Sequence, residues 1–188
     1  MNRLLLIVDP QMDFISGSLA VEGAAAVMQN LAEYLRQKDG LYIYKVVTTD
    51  WHPYNHCSFE AQGGPWPLHC VQNSIGAAIY PSLIEPLFNT KGALKVLRKG
   101  TNQKTEEYSI FKNQASAGHL ELIMKLKDID QIDICGIAGD YCVLDTLKDG
   151  SKIYGKDKFN VLLPFCASID GGIALNQYMK TERIKSIY

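Results

Sequence analysis

Gln131-Ile-Asp-Ile-Cys-Gly-Ile-Ala-Gly-Asp-Tyr-Cys-Val-Leu-Asp-Thr146 holds the clearest switch from strand to helix in the chain. Its first part is apolar and β-branched and breaks at Gly136. After Gly139-Asp140 the spacing turns helical, with Val143, Leu144 and Leu147 on one side. This predicts a buried strand, a tight turn and a helix whose first turn carries Cys142. Asp140 is placed to cap that helix. A thiol beside unpaired backbone N–H groups, at the positive end of a helix dipole, is favoured as thiolate. The same N–H groups could hold a negative oxygen on an attacked carbonyl. A small buried cysteine at a helix start gives the same pattern without chemistry, so the rest of the chain must separate the two.

Outward from this stretch, strands alternate with helices. Leu4–Val8 is a continuous apolar run, the mark of a strand buried on both faces. Gly23–Lys38 carries helical spacing at Val27, Leu31 and Leu35, with Gly40 just beyond, and Tyr42–Thr48 is the next strand. Pro81–Phe88 reads as a short helix or turn, Leu94–Arg98 as a strand and Ser116–Lys127 as a helix. Asn160–Leu163 is a strand ending at Pro164, Gly171–Thr181 a helix and Arg183–Tyr188 a short terminal strand. The alternation predicts an α/β fold, with a central, mainly parallel sheet, right-handed crossovers and helices on both faces.

The chain has 188 residues, and one domain over residues 1–188 is expected. With 47% hydrophobic residues and a net charge of −1, neither disorder nor a nucleic-acid-binding surface is indicated. No apolar run approaches the roughly 20 residues of a membrane span. The first residues, Met1 to Asp9, reach an acidic group too soon for a secretory segment and read as strand. Five cysteines without regular spacing argue against a disulfide scaffold and fit a reducing cytoplasm.

The chemistry-bearing residues follow strands. Asp9 lies just past the first, where open α/β sheets place their ligands. Asp50-Trp-His52-Pro follows the second, and extended geometry would bring the carboxylate and imidazole to one face, a start for a divalent metal site. Tyr54–Asn73 is rich in Gly, Pro, His and aromatics, and is expected to form an ordered loop over the site. It offers His56 and His69 as third ligand, with Cys57 and Cys70 as further ligands, a bridge or packed thiols. Lys99-Gly100 ends another strand and could point into a cleft, and His119 reads as a surface or capping residue. Each residue has an ordinary reading as turn, surface or core. In a parallel sheet, however, Asp9, Asp50/His52, Lys99 and Cys142 would all share one edge.

In order, Asp9-x-Gln-x-Asp-Phe14, Thr49-Asp-Trp-His-Pro53 with His56-x-Ser-Phe59, Gly64-x-Trp-Pro-x-His-Cys-Val71, Lys99-Gly100 with Tyr108-Ser-x-Phe111, and Gly136-x-Ala-x-Asp-Tyr-Cys-Val143 resemble the nicotinamidase branch of the isochorismatase-like cysteine hydrolases. The resemblance covers nearly the whole chain. It implies a Rossmann-like three-layer fold, an Asp9–Lys99–Cys142 triad, and one divalent metal ion, usually zinc with iron or manganese as alternatives, on Asp50, His52 and His69. His56 matches a histidine outside the ligand set. A cis peptide between Ile137 and Ala138 is implied, turning the Ala138 and Cys142 N–H groups toward one point as an oxyanion hole. Two positions depart from the pattern: Gly139 stands where threonine or leucine is frequent, which would loosen the turn, and Ile110 replaces a common alanine, which would reshape a pocket wall.

The activity so implied is metal-dependent hydrolysis of nicotinamide to nicotinate and ammonia through a Cys142 thioester, in NAD salvage, with pyrazinamide as a further substrate. Phe14, Trp66 and Tyr141 are the candidate walls for an aromatic ring. A small-molecule substrate, no nucleic acid, no membrane and a homo-oligomer are expected. The competing readings are a related cysteine amidase on another small amide and a non-catalytic metal-binding module. The chain has no Gly-x-Gly-x-x-Gly fingerprint for a dinucleotide.

Overall fold

A computed structural model describes residues 1–187. Six strands form one parallel sheet: β1 (Arg3–Val8), β2 (Tyr44–Asp50), β3 (Ala93–Lys99), β4 (Gln131–Ile137), β5 (Phe159–Ala167) and β6 (Lys185–Ser186). Their order is β3-β2-β1-β4-β5-β6, and every neighbouring pair is parallel. This is the order of doubly wound Rossmann sheets, in which the crevice opens where the winding reverses, between β1 and β4.

The central strand shows why the sequence folds this way. Leu5 and Ile7 face a core shared with α1 (Met12–Ile15), α2 (Ala24–Lys38) and α3 (Pro81–Phe88). Leu4, Leu6 and Val8 face the opposite core, shared with α4 (Gln114–Leu126), α5 (Leu144–Tyr154) and α6 (Ile173–Glu182). Both sets are fully buried, so the strand must be apolar at every position rather than at alternate ones. The helices bury one stripe each: Met28, Leu31 and Leu35 from α2, Leu120 and Met124 from α4, Leu144 and Leu147 from α5. The result is helix, sheet, helix in three layers.

Several boundaries differ from the sequence expectation. β2 begins and ends two residues later than predicted, so Asp50 is its last residue. β5 does not stop at Pro164 but runs on to Ala167. The register explains this: Ile134 pairs with Val161 whereas Gly136 pairs with Cys166, so Pro164 sits in a bulge where no ladder bond is asked of it. Of the expected terminal strand, Lys185 and Ser186 pair with β5, and Tyr188 lies outside the described residues. Asp140 does not cap the helix after β4. Residues Gly139–Val143 form a π-helical turn leading into α5, and the Asp140 carboxylate accepts from the Ile169 and Asp170 amides instead, both at 3.0 Å. Ile110 is fully buried in the second core and does not line the pocket described below. No helix among the described residues is long and apolar enough to cross a membrane.

Candidate active site

The carboxyl edge of the sheet collects the charged groups. Asp9 follows β1, Asp50 and Lys99 close β2 and β3 as partners in register, and Cys142 lies in the turn after β4. All four are buried, with Asp9 and Lys99 at 0% exposure. Lys99 Nζ is the hub, 2.7 Å from Asp9 Oδ2, 2.6 Å from Asp50 Oδ1 and 3.4 Å from Cys142 Sγ. The Thr48 hydroxyl donates to Asp9 Oδ1 at 2.7 Å. Carboxylate oxygens of Asp9 and Asp50 and the Cys142 sulfur all lie within 4.8 Å of one another.

Burial and charge set the protonation of this cluster. Burial raises the Asp9 carboxyl to about 6, against the pull of Lys99 and with the repulsion of Asp50 added. At Asp50 burial is again the largest influence and favours the acid, but Lys99 and His52 together outweigh it and hold the group below its ordinary value. Burial works against the charge on Lys99; Asp50 and Asp9 overcome it and keep the ammonium charged. The Cys142 thiol is pushed well up by burial, with Lys99 opposing and Asp9 and Asp50 reinforcing. This corrects the expectation of a helix-activated thiolate. The sulfur is enclosed and lies near two carboxylates, which favours the thiol over the thiolate and calls for a base to take its proton.

Asp50, His52 and His69 present one ligand atom each, mutually within 4.8 Å and buried. His52 Nδ1 is 3.0 Å from the Gly100 carbonyl and His69 Nδ1 is 2.7 Å from the Pro67 carbonyl. Each ring donates outward through Nδ1, which leaves Nε2 as a lone pair facing the triplet, the usual support of a metal-bound histidine. His52 Nε2 is buried, has no hydrogen-bond partner among the described residues and lies 3.6 Å from Asp50 Oδ2. That orphaned nitrogen, next to a carboxylate whose other oxygen is on Lys99, fits a divalent ion. The donor set suits zinc, iron or manganese alike.

His56 resolves the choice left open by spacing. It stacks on His52 at 4.1 Å, but both of its nitrogens are engaged within the protein, Nδ1 with the Ser58 hydroxyl at 2.7 Å and Nε2 with the Thr105 carbonyl at 3.1 Å. Burial and the neighbouring His52 lower it to about 4, so it is neutral. Cys57 and Cys70 are free thiols, as are Cys135, Cys142 and Cys166. His119 is exposed, with Nδ1 2.9 Å from the Ala115 carbonyl on its own helix.

A small pocket, with a cavity volume of about 30 Å³, opens onto Cys142, Asp50 and His69. Phe14, Trp66 and Tyr141 all line it, together with Ala138. The peptide joining Ile137 and Ala138 is cis. Trp66 Nε1 donates to the Tyr108 hydroxyl at 2.9 Å, and Tyr141 packs edge-on against both rings. The loop carrying Trp66 and His69 is tied down as the sequence suggests, with bridges joining His52 to Val71 and Phe59 to Trp66.

Sequence reasoning missed the residues that hold this site together. Gln11 is fully buried; its Nε2 donates to the carbonyls of Asp50 and Ala77 at 2.8 and 3.0 Å, and its Oε1 accepts from the Asp50 amide at 2.7 Å. Glu107 accepts from the Gly100 amide at 2.7 Å and from Asn113 at 2.9 Å. Asp13 accepts from the Cys70 amide at 2.7 Å, next to His69. Leu19, Tyr108 and Ile169 add to the pocket wall, as does Glu106, whose carboxyl burial raises. The motif letters Gln11 and Asp13 were visible, but their partners are distant in sequence.

The isochorismatase domain family model matches residues 3–152. The chain is 33% identical over 190 residues to the nicotinamidase/pyrazinamidase of Mycobacterium tuberculosis, covering 98% of each chain. Among solved structures it resembles the pyrazinamidase of Pyrococcus horikoshii in complex with zinc, with a TM-score of 0.84, 32% identity, and coverage of 100% of this chain and 99% of that one. PnC1 from L. infantum in complex with nicotinate superposes with a TM-score of 0.84 at 34% identity, over 99% of this chain and 92% of that one.

Proposed function

This chain belongs to the isochorismatase domain family, and we propose that it is a nicotinamidase, hydrolysing nicotinamide to nicotinate and ammonia, with pyrazinamide as a second substrate. One observation carries the reading. A buried carboxylate and ammonium meet the thiol of Cys142, and that residue lines a narrow aromatic-walled pocket together with Asp50 and His69 of the candidate metal triplet.

Asp9, with its raised affinity for protons, takes the proton of the Cys142 thiol. The sulfur attacks the carboxamide carbon, forming a C–S bond and placing the electron pair on oxygen. The Ala138 and Cys142 amides are the proposed donors to that oxygen. Lys99 offsets the negative charge accumulating on Asp9 and sulfur. Asp9 returns its proton to the departing nitrogen, ammonia leaves and a thioester remains. Asp9 then accepts a proton from water as the water oxygen adds to the thioester carbon; the adduct collapses with cleavage of the C–S bond, Asp9 returns the proton to the sulfur, and the acid leaves and loses its proton to solvent as nicotinate. A divalent ion held by Asp50, His52 and His69 would supply a binding point for the ring nitrogen, a template role. Phe14, Trp66 and Tyr141 would bracket the ring.

The proposal extends to a place in NAD salvage, a reducing cytoplasm consistent with the five free thiols, one domain over residues 1–188 and homo-oligomeric assembly. The deciding experiment is ammonia release by purified protein from nicotinamide and from benzamide, which lacks the ring nitrogen. Release from nicotinamide with strong preference over benzamide is the expected result. Equal turnover of the two would replace nicotinamidase with a broader amidase, and no ammonia from either would remove the enzymatic reading.

A further inference from the structure

We propose that Ile169 sets the size limit of the substrate pocket, and that Gly139 and Asp140 are positioning residues that hold it there. The inference rests on the amidase reading above and concerns which ring-substituted amides that site admits.

Ile169 belongs to the connection between β5 and α6, outside every motif of the sequence analysis. It lines the same pocket as Cys142, Asp50 and His69 and is 52% exposed, so it forms part of the mouth rather than the floor. A half-exposed isoleucine on a connection is a poor wall unless its backbone is fixed, and here it is fixed from two sides. The Asp140 carboxylate, two residues before Cys142, accepts from the successive amides of Ile169 and Asp170, both at 3.0 Å. Asp170 in turn accepts from the Gly172 and Ala174 amides at 2.8 and 2.7 Å, anchoring the connection to the start of α6.

Gly139 controls how closely this connection approaches. A Cβ added there would lie 2.1 Å from Ser168 Oγ, 3.4 Å from Ser168 Cβ and 3.5 Å from the Ala167 carbonyl. An alanine needs only the Ser168 hydroxyl to swing aside, but a branched side chain would press on the backbone of the connection. The glycine was expected to loosen the turn. In the fold it is buried and lets residues 168–170 close down on it, which brings Ile169 to the pocket.

A ring bound between Cys142 and the Asp50/His69 wall has its remaining carbons turned toward other pocket residues, and an added methyl group there must find room against a fixed wall. The test measures kcat/KM for ammonia release from nicotinamide and from derivatives bearing one methyl group at each free ring carbon in turn. Wild type, Ile169→Ala, Gly139→Thr and Asp140→Ala are compared, with thermal melts to verify folding. Ile169→Ala is expected to raise the kcat/KM ratio of at least one methyl derivative over nicotinamide by about 10- to 200-fold, the range for one methylene in an apolar pocket. Gly139→Thr and Asp140→Ala should shift the same derivative in the same direction. A ratio within twofold of wild type for every derivative in Ile169→Ala overturns the size limit. A shift in Ile169→Ala alone, with the other two variants folded and unchanged, overturns the positioning roles. A wild type inert toward nicotinamide and all derivatives overturns the amidase reading instead, and this inference with it.

Discussion

Lys99 Nζ lies 2.6 Å from Asp50 Oδ1, so the ammonium that faces the Cys142 sulfur also grips the first candidate metal ligand. Cys142 and the Asp50/His52/His69 triplet are therefore one electrostatic unit. Removing the lysine side chain leaves two buried carboxylates, at 0% and 3% exposure, without their counter-charge. Lys99→Met is expected to cost about 3–5 kcal/mol, the range for breaking a buried ion pair from one side. Chemical denaturation at neutral pH measures the loss, and a zinc competition titration should show weakened affinity. Wild-type stability in this variant would show that the cluster does not depend on the ammonium.

Cys142→Ala removes the sulfur but none of the groups that hold the fold or the triplet. It should release no ammonia from nicotinamide, while its melting temperature and metal content stay close to wild type. Residual amidase activity after removal of trace wild-type enzyme would eliminate the covalent route.

Gly100 ties the candidate metal triplet to β3. Its backbone sits at φ +62°, and an added Cβ would come within 2.3 Å of the His52 ring. Gly100→Ala is therefore expected to push His52 off the Gly100 carbonyl and to lower metal affinity well before it unfolds the protein. Metal retained per chain after dialysis against a chelator is the measurement, and full retention would refute the geometry.

Gln11→Leu should destabilise without touching any proposed reacting group. It leaves the Asp50 amide, the Asp50 carbonyl and the Ala77 carbonyl without their partner. Each buried orphan costs roughly 1–3 kcal/mol. A drop in the unfolding midpoint accompanied by weaker metal binding is expected; an unchanged midpoint would mean that water replaces the side chain.

Asp39 supplies the pH dependence. Burial raises its carboxyl, but hydrogen bonds from Lys45, Thr90 and the Lys91 amide bring it down to about 2 from 3.8. The lowered value belongs to the folded state, so the stabilisation is complete above the ordinary carboxylate range and is lost as pH falls through about 2. Asp39→Asn should be less stable than wild type at neutral pH by roughly 1 kcal/mol, the scale for a partly exposed pair. Below about pH 2 the two stability curves should converge. A difference that stays constant over the whole acid range would remove the ionic explanation.

The boundaries that sequence misplaced share a cause. Pro164 and Asp140 were read from local preference, the one as a strand stop and the other as a helix cap. A bulge against β4 accommodates the proline, and the amides of residues 169 and 170 offered the aspartate a better partner than its own helix. Cys142 followed the same pattern. Helix position alone favours a thiolate, but burial beside Asp9 and Asp50 favours the thiol, and neither carboxylate is near it in sequence.

The layered parallel fold was legible in the residues alone, because an all-apolar β1 flanked by stripe-bearing helices can be buried in few other ways. So was the shared edge of Asp9, Asp50, Lys99 and Cys142, since parallel strands end on the same side. Long-range packing fixed which atoms touch: that Lys99 bridges both carboxylates, that His69 rather than His56 joins Asp50 and His52, that Gln11 and Glu107 brace the site, and that Ile169 lines its pocket. Strand order and periodicity are properties of short segments, whereas hydrogen-bond partners and desolvation depend on groups tens of residues apart, which meet only when the sheet closes.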